Sequence, residues 1–345
     1  MPAQHLKHRG RVLRPRHATT APDFGAETVL VSDPWEYVEL WLKRKGHDNA
    51  RAHWQQAREF FTAASELPPT SAPLPAYYCF LNAAKALLDV RGQATTAAHG
   101  VHGQRVPGSR SLDAESVHFH SNGVLGGLCR VLDEPTDKVE YTLKDALYNL
   151  PFVHRAYCLT FTSAPELYLP VKNPRFVRKR GSKEAWLAAE LEARYVNKYT
   201  EAKLPSDWEF DHGPDLPFGT IRMKKRFQWH SRGASSSQNL QRLQAYHCRV
   251  RRSLQYIFGP SRLWYLKRGQ VGDAWIERSP VTLSFAIMHR LSELSRYDPV
   301  SLRQHLERQH NWLLSEYVAV ASRQFIDEMA SEITGCDFMV PGIRR

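Results

Sequence analysis

Apolar residues recur at helical spacing through the first ninety residues of the chain. Over residues 49–67 they lie three or four positions apart, and this spacing predicts a helix that buries Trp54. A shorter helix should precede it, because Asp33 and Pro34 are typical of a helix start and Gly46 is typical of a helix end. Both segments are therefore predicted to be amphipathic helices.

The segment 76–91 differs because apolar residues cover almost its whole circumference. Asn82, Lys85 and Asp89 interrupt them at offsets of three and four, so these polar residues share one narrow face. The pattern predicts a helix surrounded by protein on nearly all sides. A long loop rich in glycine and histidine is predicted to follow it, over residues 93–111.

The middle of the chain changes to short alternating runs separated by Pro and Gly. These runs predict strands over residues 156–162, 166–171 and 220–229. In the last run apolar and basic side chains alternate, so the strand should bury one face and expose a basic one. Two helices are also predicted in this region, over residues 183–198 and 238–258.

The C-terminal part returns to helical spacing, with helix starts predicted at the Ser-Pro and Asp-Pro pairs of residues 279–280 and 298–299. The predicted fold class is α+β, with helical N- and C-terminal parts packed around or beside a mixed, β-containing middle region. We divide the chain into a basic flexible tail (1–27), a mainly helical region (28–150), a β-containing region with a basic surface (151–275) and a helical region (276–345). Alternatively, residues 28–345 form one continuous fold.

Composition adds charge and compartment to this picture. The 345 residues carry 47 Lys and Arg against 35 Asp and Glu, a net charge of +12, and such a surplus favours polyanions as partners. The five cysteines are scattered without zinc-site spacing, and no apolar run is long enough to span a membrane. We therefore expect a cytoplasmic protein without membrane contact.

Positive charge is interleaved with aromatic residues in the middle region, which suits phosphate binding and base stacking. The alternative is an ordinary solvated face. The tail, likewise, either solubilises the chain or acts as a nucleic-acid-binding arm. The residues expected to contact DNA or RNA are Arg178, Lys179, Arg180, Arg222, Lys224 and Arg226.

Histidines at positions 99, 102, 118 and 120 lie in and just after the glycine-rich loop. Three interpretations stay open: surface histidines, a metal site, or an acid–base or RNA-contacting site. Metal-independent helical ribonucleases use an Arg and a His four to six residues apart, but this spacing occurs here no more often than chance predicts. The catalytic candidates are His99, His102, Arg242 and His247, of which the last two are the best placed pair.

The polar stripe of Asn82, Lys85 and Asp89 has two interpretations. It lines a cleft in which Lys85 positions a phosphate or acts as an acid, or it is a solvent strip with a Lys85–Asp89 ion pair. The sequence contains no P-loop, no dinucleotide-binding glycine motif, no nucleophile-elbow motif and no HExxH. We therefore expect no cofactor and no metal.

Four separated blocks of the sequence occur in a fixed order. They are YYCFLNAAKALLDVRG with the HG that follows it, SNGVLGGLCRVL, NLPFVHRAYCLTFTSAPELYLPV, and the C-terminal stretch from SELSRYDPVSLRQHL to DEMASEITG. In this order they resemble the YaaC-like family of bacterial proteins, over residues 35–341. The resemblance brings no catalytic residue, but some members lie beside genes for defence against phage or foreign DNA.

The leading functional hypothesis is therefore a nucleic-acid-binding or effector subunit, in phage defence, that works with protein partners encoded nearby. The second is a metal-independent nuclease or toxin built on the helical part, and the third is a structural scaffold in a multi-protein complex. An enzyme would be indicated if Lys85, His99 and one of Arg242, His247 or Arg296 shared a cleft.

Overall fold

A computed structural model of the chain describes residues 3–94, 97–109, 111–213, 216–230, 236–261, 263–269, 272–307 and 311–341. The helices in these ranges are α1 (Trp35–Lys45), α2 (Asp48–Ser65), α3 (Pro73–Val90), α4 (Gly123–Val131), α5 (Leu143–Tyr148), α6 (His154–Thr160), α7 (Lys198–Ala202), α8 (Ser236–Ser253), α9 (Pro280–Tyr297), α10 (Pro299–Leu306) and α11 (Asn311–Thr334). The strands are β1 (Ala3–His5), β2 (Lys7–His8), β3 (Arg11–Val12), β4 (Val29–Leu30), β5 (Val101–Arg105), β6 (Glu115–Phe119), β7 (Val139–Thr142), β8 (Tyr168–Lys179), β9 (Glu184–Leu191), β10 (Trp208–Phe210), β11 (Thr220–Met223), β12 (Phe227–Gln228), β13 (Leu254–Ile257), β14 (Leu263–Lys267) and β15 (Phe338–Met339).

The predicted α+β fold class is confirmed. The chain divides into two compact units. Unit 1 comprises Met1–Val29, Glu166–Trp275 and Gly335–Met339, and unit 2 comprises Leu30–Pro165, Ile276–Thr334 and Val340–Arg345.

Unit 1 is built on an antiparallel sheet with the strand order β10-β11-β9-β8-β14-β13, to which β1 and β12 add at β8 and β9. One face of the sheet packs with α8 around a core that includes Phe176, Leu187, Ile221 and Val250. The opposite face carries a small apolar group of Val177, Trp186 and Ala188.

Residues 3–27 differ from the predicted flexible tail, because they form part of unit 1. Leu6 and Leu13 lie between the basic residues and are buried in the core of the sheet. The Leu6 N–H donates to the Phe176 carbonyl at 2.9 Å, and Arg16 forms an ion pair with Asp337 at 3.1 Å. Two widely spaced leucines give no periodic signal, so sequence patterning alone overlooks them.

Strand β9 corrects the predicted helix over residues 183–198. Its Ala, Glu and Leu residues favour helices, but Leu187 and Ala189 face the core with α8 while Trp186 and Ala188 face the other side. Burial on both faces of a central strand outweighs the local propensity. The adjoining predicted strand over residues 220–229 is two strands, β11 and β12, separated by a turn.

Helix α6 corrects the predicted strand over residues 156–162. A short apolar run does not distinguish a strand from a buried helix, and here Ala156 and Tyr157 are buried on a helix. The predicted loop over residues 93–111 likewise contains strand β5, while residues 95, 96 and 110 lie outside the described ranges. Helix α8 ends at Ser253, so the last residues of the predicted helix 238–258 form β13 instead.

Helix α3 confirms the predicted buried helix and forms the centre of unit 2. It packs against α2, α4, α9 and α11, and Phe80 stacks on Phe325 with ring centroids 4.0 Å apart. The predicted helix ends of this unit are also confirmed, since Gly46 adopts φ 75° after α1 and the Ser279 and Asp298 side chains cap α9 and α10.

The second sheet, β5-β6-β7, lies in unit 2 with one face on α9. At Gly103 the β5 backbone touches this helix so closely that a Cβ would lie 2.2 Å from the side chain of Arg290. Buried Glu115, on β6, accepts from Arg290 Nη2 at 2.7 Å and faces His305 Nε2 at 3.2 Å. Burial alone would raise the pKa of Glu115, but the hydrogen bonds from His305 and Arg290 lower it.

Candidate functional site

Charge is divided unequally between the two units. Unit 1 contains 26 Lys and Arg against 13 Asp and Glu, a net charge of +13, whereas unit 2 contains 21 against 22, a net charge of −1. The positive surplus of the chain therefore belongs to unit 1. Each unit has its own group of candidate site residues.

Two of the residues predicted to contact nucleic acid have interaction partners within unit 1. Arg222, on β11, pairs with Glu209 at 2.8 Å and with Asp211 at 2.9 Å. Arg226 lies over the Trp186 ring at 4.4 Å and donates to the Met223 carbonyl at 2.8 Å. On the predicted basic strand face, carboxylates therefore neutralise Arg222, and Arg226 is held against an aromatic ring.

The other predicted contacts lie at the ends of strands. Arg178 is half-buried beside Gln4 of β1, while Lys179 and Arg180 are exposed where β8 ends. Lys224 is exposed in the turn after β11 and donates to the Ser206 carbonyl at 2.9 Å.

A further set of exposed cations lies along α8, with Arg242, Arg249 and Arg252 on one helix face. Burial raises the pKa of Asp207, and the charges of Arg249, Lys224 and Arg252 oppose that rise, so these three cations surround one carboxyl group. The three arginines of the helix, together with two lysines of the turn after β11, form a surface that we call the α8 basic face. Its members are Arg242, Arg249, Arg252, Lys224 and Lys225.

The predicted Arg242–His247 pair is split between two faces of α8. Arg242 is exposed, whereas His247 is buried and its Nε2 accepts from the Arg16 backbone N–H at 3.0 Å. Burial lowers the pKa of His247 to about 3, so this imidazole is neutral at pH 7. Arg251, on the same buried side, lies over Tyr256. The geometry gives His247 a role in packing.

In unit 2, the backbone holds His99 in a fixed position. The Leu125 N–H, at the start of α4, donates to the His99 carbonyl at 3.0 Å, and the His120 N–H donates to the Gly100 carbonyl at 3.0 Å. Gly100 and Gly123 both adopt positive φ, and a Cβ on either would lie 2.4 Å from backbone atoms of the facing segment. Glycine is required here because the two backbones touch.

The His99 ring meets side chains from α3 and α9. Tyr77 Oη lies 2.7 Å from His99 Nδ1, and the His289 ring lies 5.7 Å from that of His99, centroid to centroid. Burial raises the pKa of Tyr77, so the phenol stays protonated, and the tautomer of His99 decides which of the two groups donates. Burial, followed by the charge of Lys85, lowers the pKa of His99.

His289, the second imidazole of this group, is buried, whereas His99 is half-buried. Burial lowers its pKa to about 4, and its Nδ1 has no hydrogen-bond partner among the described residues. A carboxylate oxygen of Glu293 lies 3.8 Å from this atom. We call Tyr77, Lys85, His99, His289 and Glu293 the His99 cluster.

The remaining histidines form a separate row on the outer face of the small sheet. The His102 and His118 rings stack with centroids 4.4 Å apart, and His102 Nδ1 lies 2.7 Å from His120 Nε2. His118 faces Glu140 at 3.5 Å. Burial and the charge of His102 lower the pKa of His120. Among the described residues no group of three or more His, Cys, Asp or Glu is arranged to hold a metal ion.

The predicted polar stripe on α3 serves three separate purposes. Asn82 is buried and donates to the Tyr78 carbonyl at 2.9 Å, whereas Asp89 accepts from the Ala50 N–H at 3.2 Å, at the start of α2. Lys85 is half-buried and acts electrostatically on His99.

Convergence is therefore partial. Lys85 acts electrostatically on His99, whereas Arg242 and His247 belong to unit 1 and Arg296 lies over Tyr297 at the exposed end of α9. Sequence reasoning missed Tyr77, His289 and Glu293. For the α9 residues the only available signal was their spacing of four on one helix face.

Comparison with known proteins places the chain in a family. The model of the YaaC-like protein family matches residues 18–333. No curated protein and no solved structure matches the chain significantly, and no described helix is both long and apolar enough to cross a membrane. Because the match covers most of the sequence, the chain belongs to the YaaC-like protein family.

Proposed function

We propose that the chain binds nucleic acid through the α8 basic face of unit 1. The observation that carries the proposal is the segregation of charge, since unit 1 has a net charge of +13 and unit 2 a net charge of −1. All five members of the α8 basic face are exposed, so a polyanion reaches them without rearrangement of the core. Neutralising phosphates with such cations releases counterions and drives binding.

The geometry favours contacts to the phosphate backbone over contacts to bases. Arg242 and Arg252 lie ten residues apart on one helix, or about 15 Å, a length over which one DNA strand presents about four phosphates. The aromatic residues that the sequence offered for stacking, Phe227, Trp229 and Tyr246, are buried in the core of unit 1. Binding should therefore depend strongly on salt and weakly on base sequence.

A pair of matched variants tests this proposal. The variant R242Q/R249Q/R252Q removes three cations from α8, and the control K43Q/R44Q/K45Q removes three exposed cations from α1 of unit 2. Fluorescence anisotropy would follow binding of a short DNA duplex and of a single-stranded RNA of equal length. We expect the α8 variant to lose at least about tenfold in affinity and the control to stay within about twofold.

Equal losses in the two variants would mean that only net charge matters and would contradict a specific face. Absence of binding by the wild-type protein at low salt would contradict the proposal as a whole. An effector role in phage defence, with protein partners encoded nearby, stays a prediction of the family resemblance and would be tested by co-purification.

The His99 cluster supports a second candidate function, a metal-independent acid–base enzyme such as a nuclease. It brings together two neutral imidazoles, a carboxylate and Lys85, and groups of this kind transfer protons and position phosphates. The test is cleavage of single-stranded RNA in the presence of a chelator. We expect H99Q and H289Q each to abolish cleavage, whereas cleavage that survives in the double variant would exclude this candidate.

A further inference from the structure

Helix α6 brings together two residues, His154 and Cys158, that an extended chain would separate. On a strand, residues 154 and 158 would lie about 13 Å apart. On the helix they lie one turn apart, and Cys158 Sγ is 3.3 Å from His154 Nε2. A thiol and an imidazole at this distance can exchange a proton.

The orientation of His154 suits this exchange. Its Nδ1 lies 3.2 Å from the Tyr148 backbone carbonyl, which only accepts hydrogen bonds. The Nδ1 atom therefore carries the proton of the neutral ring, and Nε2 is left as the acceptor for the thiol. A nucleophile, a base and a group that orients the base are the three parts of an activated nucleophile.

The other cysteines provide a contrast within the same chain. Cys79, Cys129 and Cys336 are buried, and burial raises the pKa of Cys129 to about 12, which keeps that thiol protonated and unreactive. Cys248 is half-buried, as Cys158 is, but its Sγ donates to the Thr19 carbonyl at 3.2 Å. A carbonyl takes no proton from a thiol, so Cys248 is the matched reference.

We propose that Cys158 is a nucleophilic thiol activated by His154 and that it forms mixed disulfides with low-molecular-weight disulfides. The Sγ proton passes to His154 Nε2, and the resulting thiolate attacks one sulfur of the disulfide. One S–S bond forms to Cys158, the original S–S bond breaks, and the released thiolate takes up a proton from the imidazolium. This site lies in unit 2 and is independent of nucleic-acid binding by unit 1.

The test is the alkylation rate of each cysteine in the reduced full-length protein, measured by mass spectrometry after timed exposure to iodoacetamide at pH 7. An ordinary thiol is only a few per cent thiolate at this pH, so we expect Cys158 to react about tenfold faster than Cys248. In H154Q the rate at Cys158 should fall to that of Cys248, while the rate at Cys248 stays unchanged. Oxidised glutathione should modify Cys158 first, and C158S should abolish that product.

Two results would overturn the proposal. One is a wild-type Cys158 that reacts no faster than Cys248, and this measurement needs no variant. The other is a fast Cys158 that H154Q does not slow. If H154Q unfolds, all five cysteines will react together, and the wild-type rates measured from pH 5 to pH 9 then decide, because an activated thiol reacts at lower pH than Cys248.

Discussion

The two units differ in net charge, which is +13 for unit 1 and −1 for unit 2. Unit 1 carries its surplus on exposed side chains such as Arg242 and Arg249, whereas unit 2, with almost no net charge, buries Glu115, Arg290 and His305 in one network. Exposed cations contribute little to folding but remain accessible to a polyanion. Buried charged side chains must be paired, and each pair then fixes the relative position of the strands and helices that carry it. We therefore expect a polyanion to bind at the exposed cations of unit 1, whereas the buried charges of unit 2 hold its sheet and helices in place.

The largest expected effect comes from breaking the buried network of unit 2. In E115Q, Arg290 keeps its ion pair with Glu293 but loses the one with fully buried Glu115, and removing one member of a buried pair costs about 3–5 kcal/mol. Urea denaturation would measure the loss. The control is E27Q in unit 1, where the exposed Arg11–Glu27 pair is removed; its unfolding midpoint should not change. Equal midpoints for the two variants would contradict the contrast between the units.

A second prediction concerns the N-terminal residues of unit 1. Because Leu6 is buried against the sheet, L6A should lower the free energy of unfolding by about 3 kcal/mol. The exposed neighbour Lys7 is the control, and K7A should leave stability unchanged. Thermal denaturation followed by circular dichroism would compare them. If L6A were as stable as K7A, residues 3–27 would behave as the flexible tail that the sequence predicts.

A smaller effect should appear in the pH dependence of unit 2. Burial lowers the pKa of His289 to about 4, below the value of about 6.5 in an unfolded chain. The unfolded state then binds the extra proton, so this stabilising contribution is complete above about pH 6.5 and is lost as the pH falls towards 4. Between pH 7 and pH 5, H289Q should lose about 2 kcal/mol less stability than the wild-type protein. Parallel curves would contradict a buried, neutral His289.

Local features of the fold could be predicted, because their cause lies within a few residues. The Ser279 and Asp298 caps and the Gly46 helix end are examples, as is α3, where apolar residues on all sides indicate burial. Strand β9 could not be predicted, because its helix-forming composition is overridden by packing on both faces of the sheet.

Prediction of the candidate sites from the sequence has the same limit, because residues far apart in the chain contribute to them. Lys85 and His99 are close in sequence and were both candidates, but His289 and Glu293 reach them from α9, about 190 residues further along the chain. The excess of basic residues in the middle region could be predicted from the composition. Which of its arginines remain exposed depends on pairing between strands, which places Glu209 opposite Arg222.

The central claim is that the exposed cations of unit 1, and not its paired ones, bind nucleic acid. The most direct measurement is the slope of log affinity against log salt concentration for a DNA duplex, in the wild-type protein, in R242Q/R249Q/R252Q and in R222Q. The slope is negative, and we predict that its magnitude decreases by about 2–3 in the α8 variant, roughly 0.9 for each phosphate that the variant no longer neutralises. The R222Q variant should keep the wild-type slope. A wild-type affinity that does not change with salt, or an α8 variant with the wild-type slope, would contradict the account.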